Sequence, residues 1–394
     1  MRPAACLPRH REAGPLATRA PGLSSDLQEA WASPISQEML STSQMAFREK
    51  TLADPHEAED SPRRSERESL LQARIKDLKL HLQGTPLERH IQQLYAELEA
   101  KGISFRPECY LSDQWGCPSG VPVIGLPFYL ADPRLHTLEA ELGGDAETDH
   151  DILMYLRHEA GHAFNYAYRL YDTEAWRKVF GDYSKPYQDD YKPRPFSRKY
   201  VAHISGWYAQ KHPDEDFAET FAVWLTPGMY WAKRYAGWAA LKKLQYVDEV
   251  IRRIGRTPPA VQLADRDLDV GDMEETVLDH YRQRQLEERV ELKLREHLDQ
   301  DLQGLFEPAE TASAASAETL VRAERQALIQ SVTRYSGVNR AVIVALVDHL
   351  AERTAALRLT VHLDKTREYL TKLTTLVTAL TMNYLYTNHF FEVD

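Results

Sequence analysis

The 394-residue sequence predicts an α+β fold: a first domain of helices around a small sheet, then an all-helical C-terminal extension. Three observations carry that prediction. Apolar residues recur mostly at helical spacing, β-rich stretches are confined to residues 103–130, and no strand signal returns after residue 255. The boundaries that follow are a disordered tail over 1–65, a first domain over 66–255, a linker over 256–271 and a helical region over 272–394.

Residues 1–65 are rich in Pro, Ser, Ala and charge without a sustained period, and read as a loose tail in which Met39 and Met45 are alternative starts. Helical spacing begins at Glu66, through Leu70, Leu71, Ile75 and Leu78. It resumes with Ile91, Leu94 and Leu98 after Gly84-Thr85-Pro86, where Thr85 reads as an N-cap and Pro86 as the first helical residue. Strand-like segments follow over 103–111 and 121–130. Pro122, Gly125 and Pro127 interrupt the second, which marks an edge strand because proline cannot donate to a central ladder. Such an edge either accepts an extended peptide by strand addition or is a plain sheet edge.

A short helix over 133–142 and a Gly143-Gly144 break lead into a helix over 148–170. The irregular stretch 181–198 carries Tyr183, Tyr187 and Tyr191, either as the lining of a cleft or as an arm packed down by its tyrosines. A helix over Pro213–Leu225 bears Glu215 and Glu219. Aromatic-rich helices run on to Gly255, with Tyr230, Trp231, Tyr235, Trp238 and Tyr246 reading as packing residues. Pro258-Pro259 and the acidic stretch 265–272 mark the boundary. Beyond it, Val290, Leu294, Leu298, Leu302 and Leu305 form an apolar stripe, and 308–317 is an Ala/Ser/Glu linker. Leu370, Leu373, Val377, Leu380 and Tyr384 make a coiled-coil-like seam, read as packing within one chain.

With 43% hydrophobic and 10% aromatic residues the chain can bury a large core. A net charge of −11 gives no general attraction to nucleic acid or anionic lipid. Cys6, Cys109 and Cys117 do not make a disulfide scaffold, and Cys109 and Cys117 read as two thiols in a reducing compartment. No apolar run reaches membrane-helix length and no secretory h-region is present, so a cytoplasmic protein is expected, with its oligomeric state open.

The chemistry concentrates in Arg157-His158-Glu159-Ala160-Gly161-His162. Histidines four residues apart stand one above the other on a helix face, where two imidazoles can hold one tetrahedral metal ion. Glu159 projects from an adjacent flank, where a carboxylate reaches a metal-held water without ligating the metal. A third ligand must come from elsewhere, and His212-Pro213-Asp214-Glu215-Asp216-Phe217-Ala218-Glu219 offers it. Glu215 and Glu219, one turn apart, share a stripe, so one can bind metal while the other accepts the free ring N–H of a ligand histidine. Phe217, Ala218, Phe221 and Ala222 mark this helix as partly buried, and a buried carboxylate needs a positive partner. Asp214 and Asp216 are alternative ligands, but a helix presents the three acids on different faces, so at most one fits.

Together the two motifs resemble the gluzincin metallopeptidases, in particular the bacterial zinc-binding metallopeptidase family with its Arg-His-Glu-x-Gly-His and Pro-Asp-Glu-Asp-Phe-Ala-Glu-Thr-Phe runs. More distantly they resemble the lethal-factor-like and Pro-Pro endopeptidase group. The resemblance spans roughly residues 90–250. It implies a zincin-like domain binding Zn2+ through His158, His162 and Glu215, with Glu159 as general base and Glu219 behind the ligands. The lethal-factor-like group places an oxyanion-stabilising tyrosine seven residues before the ligand glutamate, here Tyr208, with Tyr200, His203 and His212 as competitors. Family members often open with a cysteine-rich zinc ribbon, which this chain lacks. The expected activity is zinc-dependent hydrolysis of peptide or protein substrates, with no nucleic-acid or membrane partner. Its rivals are a catalytically retired zincin binding partners through the helical C-terminal region, and a hydrolase of non-peptide amides.

Overall fold

The computed structural model describes residues 61–143, 146–187, 191–262, 264–287, 297–308 and 315–390. The chain divides into two compact units, Arg11–Ala73 and the remainder. The described part of the smaller unit is a helix, α1 (Ser61–Gln72), so the last five residues of the expected tail are helical. The rest of that tail, residues 1–60, lies outside the described residues.

The larger unit is mostly helical with small sheets, an α+β arrangement. Helix α2 (Pro86–Ala100) opens with Pro86 at its first position and buries Leu87, Ile91, Leu94 and Leu98 along one stripe. The Thr85 side chain does not cap it; its hydroxyl donates to the Leu82 carbonyl at 2.6 Å. Two short strands follow, β1 (Glu108–Ser112) and β2 (Val123–Pro127), paired in parallel with Tyr110 opposite Gly125. Both are shorter than the apolar runs suggested: Pro107 lies ahead of β1, and the chain after Pro127 tightens into a 3-10 turn over Phe128–Ala131. As expected, β2 is an edge of its two-stranded sheet. Every residue of β2 is buried, and Gly125 exchanges both backbone hydrogen bonds with Gly116 (3.2 and 2.7 Å), so that edge is already bridged at its centre.

Helix α3 (Pro133–Leu138) ends in a π-type turn over Glu139–Gly143, earlier than the expected helix over 133–142. Helix α4 (Asp149–Ala167) is the spine of this half. Thr148 and Asp151 form a reciprocal capping box at its start, satisfying two of the orphan amides of the first turn. It stops short of residue 170 because Arg169 takes a left-handed conformation and a 3-10 turn follows. Helices α5 (Glu174–Phe180), α6 (Pro213–Leu225), α7 (Trp231–Arg234) and α8 (Leu241–Ile254) complete the layer. Helix α6 packs on α4, and α8 lays Leu244, Val247, Val250 and Ile251 inward and packs on α6.

Residues 256–287 run back over this half. The amides of Ala260 and Val261 both donate to the Ala167 carbonyl at the end of α4, and the amides of Ile75 and Lys76 donate to Glu275 and Met273. Helix α9 (Val277–Glu287) buries Val277 and Tyr281, and Arg284 forks onto Glu139 at 2.7 and 3.0 Å.

The C-terminal region has its own apolar core. Helices α10 (His297–Leu305), α11 (Ala317–Ala323), α12 (Arg325–Ser336), α13 (Arg340–Ala356) and α14 (Thr366–Thr387) converge on Leu302, Ile329, Ile343, Leu346, Leu350, Leu373 and Val377. It is not wholly helical. Strands β3 (Glu307–Pro308), β4 (Ala315–Ser316) and β5 (Leu359–Val361) form a small antiparallel sheet with β5 central, where a plain linker was expected. Of the expected apolar stripe, Val290 and Leu294 lie outside the described residues; Leu298 and Leu302 are core. Leu373, Val377 and Leu380 of the seam pack within the chain. The turn between α12 and α13 rests on the first half: a side chain added at Gly337 would stand 2.7 Å from Pro193 and 2.8 Å from Trp207. No helix among the described residues is long and apolar enough to cross a membrane.

Candidate metal centre

Helices α4 and α6 cross where Gly161 meets Ala218. A Cβ at Gly161 would lie 2.8 Å from the Ala218 Cα, so only glycine permits this approach. Stacked rings of Phe164 and Phe221, 5.4 Å apart, hold the crossing one turn further along α4. The close approach lets acids of α6 reach the histidines of α4.

Helix α6 starts with Pro213 behind an unusual cap. The His212 Nδ1 accepts the Asp214 amide at 3.1 Å while its Nε2–H donates to the Lys185 carbonyl at 2.8 Å. That pair of contacts requires the neutral ring, and burial lowers its pKa in the same sense. The three acids of the first turn then fan out, all buried. Asp214 accepts from the His162 Nδ1–H at 2.9 Å, from Asn165 at 2.7 Å and from the Tyr166 hydroxyl at 2.6 Å. Glu215 faces both histidines. Asp216 turns away to Lys243 at 2.5 Å. Asp214 and Asp216 are therefore not ligand alternatives to Glu215: one stands behind an imidazole and the other is paired with a lysine.

The geometry between the helices is a triangle. His158 Nε2 lies 3.1 Å from His162 Nε2 and 3.1 Å from Glu215 Oε2, and His162 Nε2 lies 3.2 Å from that same oxygen. The far nitrogens fix the tautomers: His158 Nδ1–H donates to Glu219 Oε1 at 3.0 Å and His162 Nδ1–H donates to Asp214. Both Nε2 atoms then present lone pairs to each other and to a carboxylate oxygen. Three acceptors at such range repel unless a cation lies among them. Donors about 2.0–2.1 Å from a tetrahedral zinc stand about 3.3–3.4 Å apart, close to the edges seen here. The second oxygen of Glu215, Oε1, is buried without a hydrogen-bond partner among the described residues. His158, His162 and Glu215 are the cluster of metal-binding side chains found among the described residues, so the donor set fits zinc.

Burial alone pushes the Glu215 carboxyl up, but His162 and His158 beside it outweigh burial and bring it down to about 2. For Asp214 burial likewise pulls upward, and His162 with the Tyr166 hydroxyl reverses it to a net lowering. Glu219 also accepts the amides of His203 and Ile204 on Oε2, at 3.1 and 3.0 Å. Arg157, beside the first histidine, forks onto Glu97 of α2 with two bonds of 2.7 Å and ties the α4 backbone to its neighbour.

Glu159 lies between the two histidines in sequence and is 1% exposed. Tyr208, in a 3-10 turn just before α6, sets its ring edge-on to His158 with centroids 5.7 Å apart. Of the other candidates, His203 hydrogen-bonds the Met154 carbonyl, His212 caps α6, and the Lys243 ammonium stands 4.1 Å over the Tyr200 ring. From the loop before α6, Tyr187 stacks on His212 at 3.9 Å with its hydroxyl 3.5 Å from Asp214. Tyr183 stacks on Tyr171 and Tyr191 donates to the Gly206 carbonyl. Sequence reasoning missed Asn165 and Tyr166 as partners of Asp214, although their places three and four residues after His162 put them on that histidine's face. It also missed Glu97, for which spacing gave no signal. Cys109 and Cys117 form no disulfide, and burial pushes the Cys109 thiol up to about 12.

Residues 139–247, which contain both helices, match the family model described as "Putative zinc-binding metallo-peptidase". No curated protein and no solved structure matches the chain.

Proposed function

We propose that the protein is a zinc-dependent peptidase of the zincin type, hydrolysing peptide bonds at the crossing of α4 and α6. The observation that carries this reading is the triangle of Nε2, Nε2 and Oε2 atoms, each imidazole backed by its own carboxylate. The match of this segment to a zinc-binding peptidase family supports the choice of reaction.

His158, His162 and Glu215 would hold the ion. A zinc ion so held lowers the pKa of a water to about 7 and polarises a carbonyl oxygen. Glu159 would act as general base, accepting a proton at its carboxylate from the nucleophilic water and delivering it to the nitrogen of the leaving amine. The Tyr208 hydroxyl donates to the developing oxyanion, a contribution of about 3 kcal/mol for one well-placed donor. Glu219 and Asp214 keep the Nδ1 protons on His158 and His162, leaving each Nε2 as the donor.

The test is Glu159→Gln beside wild type, with zinc content measured on both and cleavage profiled on a denatured proteome. The variant should keep zinc and lose turnover by at least about 100-fold, the scale of a general base. Equal turnover in the two proteins removes Glu159 from the mechanism. A zinc-loaded wild type that cleaves nothing supports the retired, partner-binding reading instead.

A further inference from the structure

Lys211 stands one residue before the cap of α6 and is 9% exposed. Its ammonium lies over two aromatic rings, 5.4 Å from the centre of Tyr208 and 5.8 Å from that of Tyr187. Both tyrosines border the metal centre, Tyr208 against His158 and Tyr187 with its hydroxyl toward Asp214. The lysine is thus one ring away from the triangle. Among the described residues no carboxylate or carbonyl is hydrogen-bonded to it, although Asp214 and Asp216 are three and five positions on; those acids are committed to His162 and Lys243.

This is an unfavourable place for a resting cation. Most of the side chain is withdrawn from water while the ammonium stays in reach of solvent, and the N-terminal end of a helix carries the positive pole of its dipole. Cation–π contact with two rings offsets part of that cost without neutralising the charge. A lysine held in this way is matched by an anion that arrives from outside. Tyr187 and Tyr208 place apolar ring surface beside the ammonium, between it and the metal-binding side chains.

We infer that Lys211 is a specificity-determining residue that binds a carboxylate of the peptide substrate, so the centre prefers peptides with a negative group near the scissile bond. The inference rests on the peptidase reading above. The carboxylate is either the free C-terminus of the peptide or an Asp or Glu side chain. Both present the same planar anion to an ammonium.

The test uses zinc-loaded full-length protein carrying Glu159→Gln, with or without Lys211→Met. The probe is a mixed pentapeptide library made once as free acids and once as C-terminal amides, and bound peptides are quantified by mass spectrometry. The Lys211 protein should retain carboxylate-bearing peptides about 10- to 100-fold over neutral ones, the range of a charge-assisted hydrogen bond. Lys211→Met should erase that ratio at unchanged zinc content, and Lys211→Arg should restore it. Preference for acids over amides identifies the terminal carboxylate; preference for Asp and Glu over Asn and Gln in both libraries identifies the side chain. Where Lys211→Met fails to fold, Lys211→Gln carries the same comparison. A ratio near one in the Lys211 protein, or an undiminished ratio in the substituted one, overturns the inference. Binding is read without turnover, so this failure is distinct from an absence of cleavage in the wild type.

Discussion

Helices α4 and α6 and the C-terminal helices α12–α14 are both well buried, but with different side chains. Over α4 and α6, Arg157, His158, Glu159, His162, Asn165, Asp214, Glu215, Asp216 and Glu219 are all withdrawn from water. In α12–α14 the buried polar side chains among the described residues are hydroxyls, Thr333, Ser336, Thr354 and Thr381, set among Ile, Leu and Val. A hydroxyl can be satisfied within its own helix, as Thr354 is by the Ala351 carbonyl at 2.8 Å. A buried ion cannot, and costs several kcal/mol unless charges and hydrogen bonds surround it. The first region is therefore organised by electrostatic complement around side chains that could hold a metal ion, whereas the second is held by apolar transfer.

The comparison is broken most severely by Glu215→Ala. Zinc should fall below stoichiometric content after dialysis, while hydrogen exchange over residues 329–350 stays as in wild type. Loss of protection in that C-terminal core would mean the two regions are not independent. Next comes Leu346→Ala, which empties part of the second core and should cost about 2–5 kcal/mol in denaturant unfolding. Zinc content of the folded fraction should be unchanged.

Glu147 sharpens the contrast from the other side, as a buried acid just ahead of the α4 cap. It accepts from Tyr129 at 2.9 Å and Trp115 at 3.3 Å, and burial, aided by the nearby Glu139 carboxylate, pushes it from 4.5 up to about 7. The folded protein thus favours its protonated form. That contribution is fully present below pH 4.5 and is lost as pH rises through about 7, amounting to about 3 kcal/mol at most. Glu147→Gln should gain stability relative to wild type between pH 5 and 8, in thermal melts across that window; an unchanged difference would show the acid to be ionised in the fold. The smallest expected effect is that of Gly161→Ala, which forces α4 and α6 apart at the Ala218 contact. It should cost about 1–3 kcal/mol and weaken zinc retention together, whereas a purely local strain would leave zinc affinity untouched.

Much of the first region was legible because its signals are local. The bounds of α6 follow from Pro213 at the first position and the apolar run behind it, and the stacking of His158 and His162 follows from helical period. Less legible was what depends on how two helices cross. Spacing presents Asp214, Glu215 and Asp216 in three directions but does not say which direction faces α4; the Gly161–Ala218 contact decides it. The partnership of Glu97 with Arg157 and the contacts of Lys211 with the Tyr187 and Tyr208 rings are likewise tertiary. The C-terminal sheet escaped for another reason. Strands of two or three residues are too short to show a period, and β5 directly follows a long helical pattern. Gly125 read as a strand interruption and turned out to be paired twice with Gly116, a contact with no local signature.

The central claim is that a divalent cation is clasped by His158, His162 and Glu215, and zinc K-edge X-ray absorption on the purified protein tests it most directly. The account predicts one zinc per chain with two imidazole nitrogens and a carboxylate oxygen at about 2.0–2.1 Å, and no sulfur neighbour. A protein that acquires no zinc even when supplied with it, or one whose zinc signal survives unchanged in Glu215→Ala, would contradict it.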